Sequence, residues 1–172
     1  SKYTDKLITI TKEDFNLASN KFNAEVVHIH GVGANADRYF HVSYEEALAL
    51  RDYLGYSQKQ FIILCIGELN KNKNQVTVIK SISKVIKTIP NVKLLLAGNG
   101  PMEQELRRLV SKLGLNANVE FLGYRTDLEK YLNSCDVVIS SSIREGLPLN
   151  VMEAMLCGKP VILSNNRGHR EL

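Results

Sequence analysis

The chain has 172 residues, 44% of them hydrophobic and 23% charged, with a net charge of +4. That is the size of one domain with room for a real core, and it is too apolar for a disordered chain. No apolar run reaches the roughly 18 residues of a membrane helix and no signal peptide opens the chain; the mild charge comes without aromatic–basic repeats or zinc spacing, which argues against nucleic acid.

Residues 1–59 read as a small unit and a connection. A strand over 6–10, a helix over 12–22 and a strand over 26–30 make one strand–helix–strand motif, followed by Gly31-Val32-Gly33, a polar loop and a helix over 43–53 that stops at Gly55. One such motif is too small to bury its own faces, so it must lean on the main domain, on another chain or on something missing. From residue 60 onward strands and helices alternate. Phe61–Ile66 is a continuous apolar run ending at Gly67, as in a buried parallel strand. Asn74 stands as the cap of a helix whose Val78, Ile82, Val85, Ile86 and Ile89 share one face, and Pro90 stops it. Val92–Ala97 is the next strand, closed by Gly98-Asn99-Gly100, and Pro101 suits the first turn of a helix ending at Gly114. A strand over 119–122, a short helix over 126–133, a strand over 136–140, a helix over 148–157 and a strand over 160–163 complete the series.

Five apolar strands with four intervening helices specify a doubly wound α/β fold with a parallel sheet and right-handed crossovers. Counted from the Phe61 strand, the expected order is 3-2-1-4-5. Two of the three cysteines, Cys65 and Cys135, fall in strand-like runs and Cys157 in a helix-like run. All three read as reduced structural thiols, which fits a cytoplasmic protein. His28, His30 and His41 cluster near the connection, but no Cys or Asp pattern completes a metal site, so no metal is expected.

In an open parallel sheet a ligand sits beyond the carboxyl ends of the strands, where the strand order reverses. Here that is between the loop at residues 67–73 and the loop at residues 141–147. Gly146 lets the backbone approach a ligand closely, and Pro148 begins a helix whose free N–H groups favour an anion such as a diphosphate. On that helix Glu153 is a carboxylate among Leu149, Val151, Met152, Ala154, Met155 and Leu156, an almost fully buried setting by composition. A carboxylate so placed needs donors, either ribose hydroxyls or a structural partner, and the helix alone leaves both open.

Glu145 and Glu153 stand with seven residues between them in REGLPLNVMEAM, followed by Gly158-Lys159-Pro160-Val161. This resembles the E-x7-E signature of family 4 (group 1) retaining glycosyltransferases of the GT-B type, including those of capsule and exopolysaccharide synthesis. The resemblance implies a Rossmann-like donor-binding domain in which Glu145 contacts the donor sugar as the catalytic carboxylate and Glu153 holds the ribose hydroxyls. Gly67-Glu68-Leu69 with Lys71 and Lys73 is similar to the family's G-R-L…K-G loop, which implies a diphosphate grip by Lys73; Glu68 stands in the usual arginine position, and Lys71 either replaces that second contact or is a solvated lysine. Gly98 and its neighbours resemble the loop before the family's second helix. Phe121-Leu122-Gly123-Tyr124 resembles the strand end beside the base, which makes Tyr124 and Arg125 base neighbours; an exposed turn is the alternative reading of both. Gly146, Leu147, Pro148 and Leu149 complete the implied donor site.

By the same resemblance, residues 1–42 are the tail of an N-terminal acceptor domain with its linker, and residues 43–172 a donor domain that stops before the family's last strand and helices. The expected ligand is a nucleotide diphosphate sugar, most naturally UDP-linked, with no metal or other cofactor. A glycan or lipid-linked acceptor would be held by the remaining N-terminal domain, with peripheral association at the inner membrane face depending on it. The chain by itself is then expected to transfer little or no sugar, and residues 1–42 to offer an apolar face for self-association. Two other classes remain: a GT-B nucleotide-sugar epimerase, and a non-catalytic Rossmann or flavodoxin-like module. Gly67-Glu68-Leu69-Asn70-Lys71 is not the G-x-G-x-x-G of a dinucleotide site.

Overall fold

The computed structural model describes residues 3–31 and 33–172. Val32, in the Gly-Val-Gly turn, lies outside the described residues. The N-terminal unit consists of β1 (Lys6–Thr9), α1 (Lys12–Lys21) and β2 (Glu25–His28), the two strands pairing in parallel. Then come α2 (Tyr44–Tyr53), β3 (Phe61–Ile66), α3 (Gln75–Val85), β4 (Val92–Ala97), α4 (Glu103–Lys112), β5 (Val119–Gly123), α5 (Leu128–Ser134), β6 (Val137–Ser140), α6 (Leu149–Leu156), β7 (Val161–Leu163) and α7 (Arg167–Arg170). The main sheet is parallel throughout its strands and ordered β5-β4-β3-β6-β7, as expected from the alternation.

The strands are apolar on both faces, and successive side chains divide the core in two. Ile63, Cys65, Leu94 and Leu96 pack with Val78, Ile79 and Ile82 of α3 and Leu106 and Val110 of α4. Ile62, Leu64, Leu95 and Ala97 pack on the other side with Tyr131 and Leu132 of α5 and Ala154 of α6. Each fully buried Leu or Ile contributes about 1.5–3 kcal/mol, so the two layers hold the sheet rigid beneath its loops.

Polar contacts fasten the edges. Ser43 and Glu46 form a reciprocal capping box at the start of α2. Arg51, buried on α2, donates to Ser134 O at 2.7 Å and pairs with Asp136 at 2.6 Å, while Asp136 also accepts from Ile62 N. The amino ends of β3 and β6 are thereby tied to α2. All three thiols are free and buried; burial pushes those of Cys65 and Cys135 up to about 12 and raises that of Cys157, so they stay protonated. Cys135 lies at the C-terminal cap of α5, two residues before β6 begins at Val137, rather than in a strand.

Two local expectations change. Asn74 does precede α3, but in the left-handed conformation (φ 55°) and without capping a backbone N–H. Its side chain accepts from Thr77 Oγ1 and donates to Ser141 O, across the crevice. The second change concerns α6, which is not almost fully buried. Only Val151 and Ala154 are buried along it, while Leu149, Met155 and Leu156 are exposed, because no described element covers its outer side.

At the carboxyl edge, β3 and β4 meet through glycine backbone. A Cβ on Gly98, whose φ is +138°, would stand 2.2 Å from Gly67 O. Replacing Gly98 by Ala is expected to cost about 3 kcal/mol or more, combining overpacking with a strained φ. Gly33→Ala, with nothing within 4 Å of the added carbon, should stay within about 0.5 kcal/mol of the parent. Urea denaturation of the two variants measures the difference.

Candidate functional site

The crevice lies where the loop after β3 turns to one side and the loop after β6 to the other. The two loops are joined across it. Asn72 Nδ2 donates to Arg144 O at 2.9 Å and Asn72 Oδ1 accepts from Arg144 N at 3.1 Å; Ile143 N donates to Asn72 O at 2.8 Å. Ser141 Oγ donates to Lys73 O and Asn74 O. At the centre Lys73 Nζ contacts Glu145 Oε1 at 2.5 Å, both side chains mostly buried. Lys73 and Glu145 are therefore brought together directly. Lys71 is not: it is exposed at the loop tip. Glu68 is exposed too and accepts from Asn70 Nδ2.

The loop holding Glu145 runs into α6, which starts at Pro148 with no side-chain cap and no acidic residue in its first turn. An uncapped helix start offers N–H groups to an anion. Asn150 in that first turn donates to Ile66 O at 2.8 Å, which holds the helix start over the end of β3. Gly146 lies against Ile10 of the N-terminal unit, and Leu147 against Gly31. Leu149 is exposed.

One turn further on, Glu153 is half-buried. Burial raises its carboxyl pKa, and the Tyr39 hydroxyl and the Arg38 guanidinium, which face it, counter that only in part. Tyr39 is buried in the core layer with Ala154 and Cys157, and Arg38 anchors the same segment to Glu129 at 2.7 Å. The connection after β2 thus reaches back to position a residue on α6, a contact no periodicity signals.

Beside these lies a cavity of about 310 Å³ lined by Ile66, Gly67, Glu68, Ala97, Gly98, Asn99, Tyr124, Arg125 and Leu128. Its volume and largely apolar wall suit a flat heterocycle. Gly67, Gly98, Tyr124 and Arg125 are brought together here. Arg125 makes a two-pronged pair with Asp127 at 2.9 and 2.8 Å and lies over the Tyr131 ring. Hydrogen bonding to Arg125 holds the Asp127 carboxyl below its usual value. Arg125 is thus a fixed wall, and Tyr124, 75% exposed, an open one. His28 and His30 stack edge to face at 5.4 Å, and among the described residues no three His, Cys, Asp or Glu side chains converge on one point.

Reasoning from sequence missed Asn72, Ser141, Asn150 and Tyr39, whose roles depend on partners remote in the chain. Only the density of asparagines at residues 70–74 hinted at a structured turn.

With this geometry in hand, residues 35–172 match the family described as glycosyl transferases group 1. The chain is 41% identical to the putative glycosyltransferase EpsD of Bacillus subtilis (strain 168), over all of this chain and 46% of that protein. It is 25% identical to UDP-Gal:alpha-D-GlcNAc-diphosphoundecaprenol alpha-1,3-galactosyltransferase of Escherichia coli, over 98% of this chain and 45% of that one. Among solved structures, Anabaena HepE in complex with UDP and glucose superposes with a TM-score of 0.84 at 26% identity, covering 99% of this chain and 47% of HepE. The chain spans about half the length of the relatives it matches.

Two outcomes are expected of the central charges. Lys73→Ala leaves Glu145, 11% exposed, without its cation and should cost about 3 kcal/mol; adding Glu145→Gln should restore most of that stability in thermal melts. Glu153 carries a carboxyl pKa raised above 4.5 chiefly by burial, so the native state disfavours its charge. The sign is therefore that its ionisation lowers stability as pH rises through the raised value, and Glu153→Gln should melt at or above the parent temperature at pH 7. A lower melting temperature would show that the carboxylate is structural.

Proposed function

This chain belongs to the group 1 glycosyl transferases, and from that premise we propose that it is the donor-binding half of a retaining glycosyltransferase acting on a nucleotide diphosphate sugar, most naturally a UDP-sugar, in cell-surface polysaccharide synthesis. The observation that carries the reading is the Lys73–Glu145 pair just ahead of the uncapped α6, the helix that bears Glu153, with a base-sized cavity at Gly67 beside Lys73. The base stacks between Gly98, Tyr124 and Arg125. The ribose hydroxyls donate to Glu153, the diphosphate lies on Lys73 and the backbone of Gly146, Leu147, Pro148 and Leu149, and the sugar reaches Glu145.

Transfer breaks the bond between the anomeric carbon and a diphosphate oxygen, the electron pair staying with the diphosphate, and forms a bond from an acceptor hydroxyl oxygen to that carbon, the hydroxyl proton passing to the departing diphosphate. Lys73 and the N–H groups of α6 stabilise that charge from fixed positions, which is the largest single contribution such sites make. The same cation already touches Glu145, so one ammonium links the sugar carboxylate to the leaving group. Positive charge of this kind replaces a metal, and no metal is required. The UDP complexes of HepE support the choice of uridine.

The acceptor, a glycan or a lipid-linked sugar as the name of the Escherichia coli relative suggests, is held by the part of the relatives this chain does not span. On this reading residues 1–42 belong to that acceptor-side domain, residues 43–172 to the donor domain. Peripheral contact with the inner face of the membrane follows from such an acceptor; among the described residues no helix is long and apolar enough to cross one. The chain alone binds donor and transfers little sugar, and Ile8, Leu17 and Phe22, exposed on the N-terminal unit, give it a surface for self-association.

Calorimetric titration with UDP, GDP, ADP and NADH tests the reading. Saturable binding of UDP, weakened at least tenfold by Glu153→Ala, is the expected result, because a ribose held by a half-buried carboxylate depends on charge-assisted hydrogen bonds of about 1.5–3 kcal/mol. Binding of NADH in preference to every nucleoside diphosphate would sink it. Affinity should also fall on the acid side at a pH above that for an ordinary glutamate, since protonation removes the acceptor.

A further inference from the structure

The turn between β7 and α7 belongs to no motif singled out above, yet it holds the Glu145 loop from behind. Ser164 Oγ and Asn166 Nδ2 both donate to Ser142 O, at 2.6 and 2.9 Å. Gly168 lies flat on the next peptide: a Cβ there would stand 2.3 Å from Gly146 O and 2.8 Å from the Glu145 carbonyl carbon. Arg167 then spans two units. Its Nε donates to Glu145 O at 3.4 Å, and its Nη1 pairs with Asp14 Oδ1 on α1. Asp14 is itself fixed, because the buried Thr11 hydroxyl donates to its Oδ2 and accepts from its backbone N–H.

We infer that Arg167 is a positioning residue for Glu145, setting the direction in which that carboxylate meets the donor sugar. The inference rests on the reading of Glu145 given under Proposed function. A backbone carbonyl held from behind fixes the peptide, and the peptide fixes where the Glu145 side chain starts. Lys73 alone then controls where it ends. Arginine suits the task, since its planar fork serves two acceptors at once, whereas a lysine ammonium is a single point. The base cavity and Glu153 lie on β3–β5 and α6, and Asn150 holds the start of α6 independently of Arg167. Loss of Arg167 therefore acts chiefly on the sugar: of the diphosphate's proposed contacts only the Gly146 N–H shares the held peptide, and Lys73 and the rest of the α6 start stay in place.

The test titrates UDP, UDP-glucose, UDP-galactose and UDP-N-acetylglucosamine into the parent chain, Arg167→Ala, Arg167→Lys and Asp14→Asn. In Arg167→Ala the Kd for UDP should stay within about twofold, while that for the preferred UDP-sugar rises about fivefold, the loss of one hydrogen bond. Arg167→Lys should recover the melting temperature without recovering the sugar preference. An unchanged ratio of sugar-nucleotide to UDP affinity in Arg167→Ala overturns the inference, as does an equal loss of both or full rescue by lysine. Should Arg167→Ala fail to fold, Asp14→Asn removes only the anchor, and a parental ratio there overturns it equally. A parent chain that binds no UDP instead overturns the functional reading itself, and one that binds UDP and every UDP-sugar alike removes the sugar role of Glu145 and this inference with it.

Discussion

The site depends on one junction: the loop after β3 and the loop after β6 are bound to each other across the point where the strand order reverses. Parallel strands that wind in opposite directions from a shared centre leave a gap between their carboxyl-end loops. In this chain the gap is closed at its base by Asn72, which mimics a strand partner for Ile143 and Arg144, and by Ser141, which caps the carbonyls of Lys73 and Asn74. The backbone is thereby fixed before any charge is placed. Lys73 and Glu145 then meet at 2.5 Å because both grow from loops already held. A carboxylate and an ammonium on free loops would lose most of that contact to solvent and side-chain entropy.

Much of this architecture was legible in the residues. Phe61–Ile66 is apolar without alternation and Val92–Ala97 is so apart from Lys93, a pattern suited to strands covered on both faces, and the intervening helical periods fix the crossovers. Those two facts leave a few doubly wound orders, and the expected 3-2-1-4-5 is the one the structure has. The Glu145 and Glu153 spacing, with Gly146 and Pro148 between them, pointed to the loop where Glu145 meets Lys73 and to the helix on which Glu153 is half-buried. Periodicity, however, reports how apolar a face is and says nothing of what lies opposite. That is why α6 reads as buried although Leu149, Met155 and Leu156 face outward. It is also why Asn74 reads as a cap, when its left-handed backbone turns the side chain toward Ser141.

Apart from Tyr39, which faces the Glu153 side chain, the residues that escaped detection share one physical trait: they are polar groups whose partners are backbone atoms far away in sequence. Asn150 bonds Ile66 O, Asn166 bonds Ser142 O, and Arg51 bonds Ser134 O. Nothing in the spacing of such residues distinguishes them from solvated surface, because the backbone partner is present at every position. Their value is in removing the freedom of the loops, since a site precise to a fraction of an ångström needs its supporting shell ordered in advance. The N-terminal unit extends the same principle. Arg167 and Arg170 of α7 pair with Asp14 and Glu13 of α1, and Lys12 N bonds Glu171, so the two-stranded unit is held to the edge of the site by side chains rather than by a shared sheet.

The charges around the crevice present a last constraint. Glu68, Glu145 and Glu153 outnumber Lys73 in the vicinity, which looks hostile to a diphosphate. Each carboxylate is nevertheless managed differently. Glu145 is neutralised by Lys73, Glu153 is made less willing to ionise by burial, and Glu68 is exposed, where solvent screens it. What remains unbalanced is the partial positive charge at the start of α6, together with Lys71 and Arg144 exposed on the two loop tips. With a net charge of +4 the chain as a whole also attracts an anion. The exposed cations therefore act at long range on the encounter, and the buried groups act at short range on what is bound. For the proposed donor, this division puts carboxylates that can accept from hydroxyls inside the site and cations that attract a polyanion on its rim.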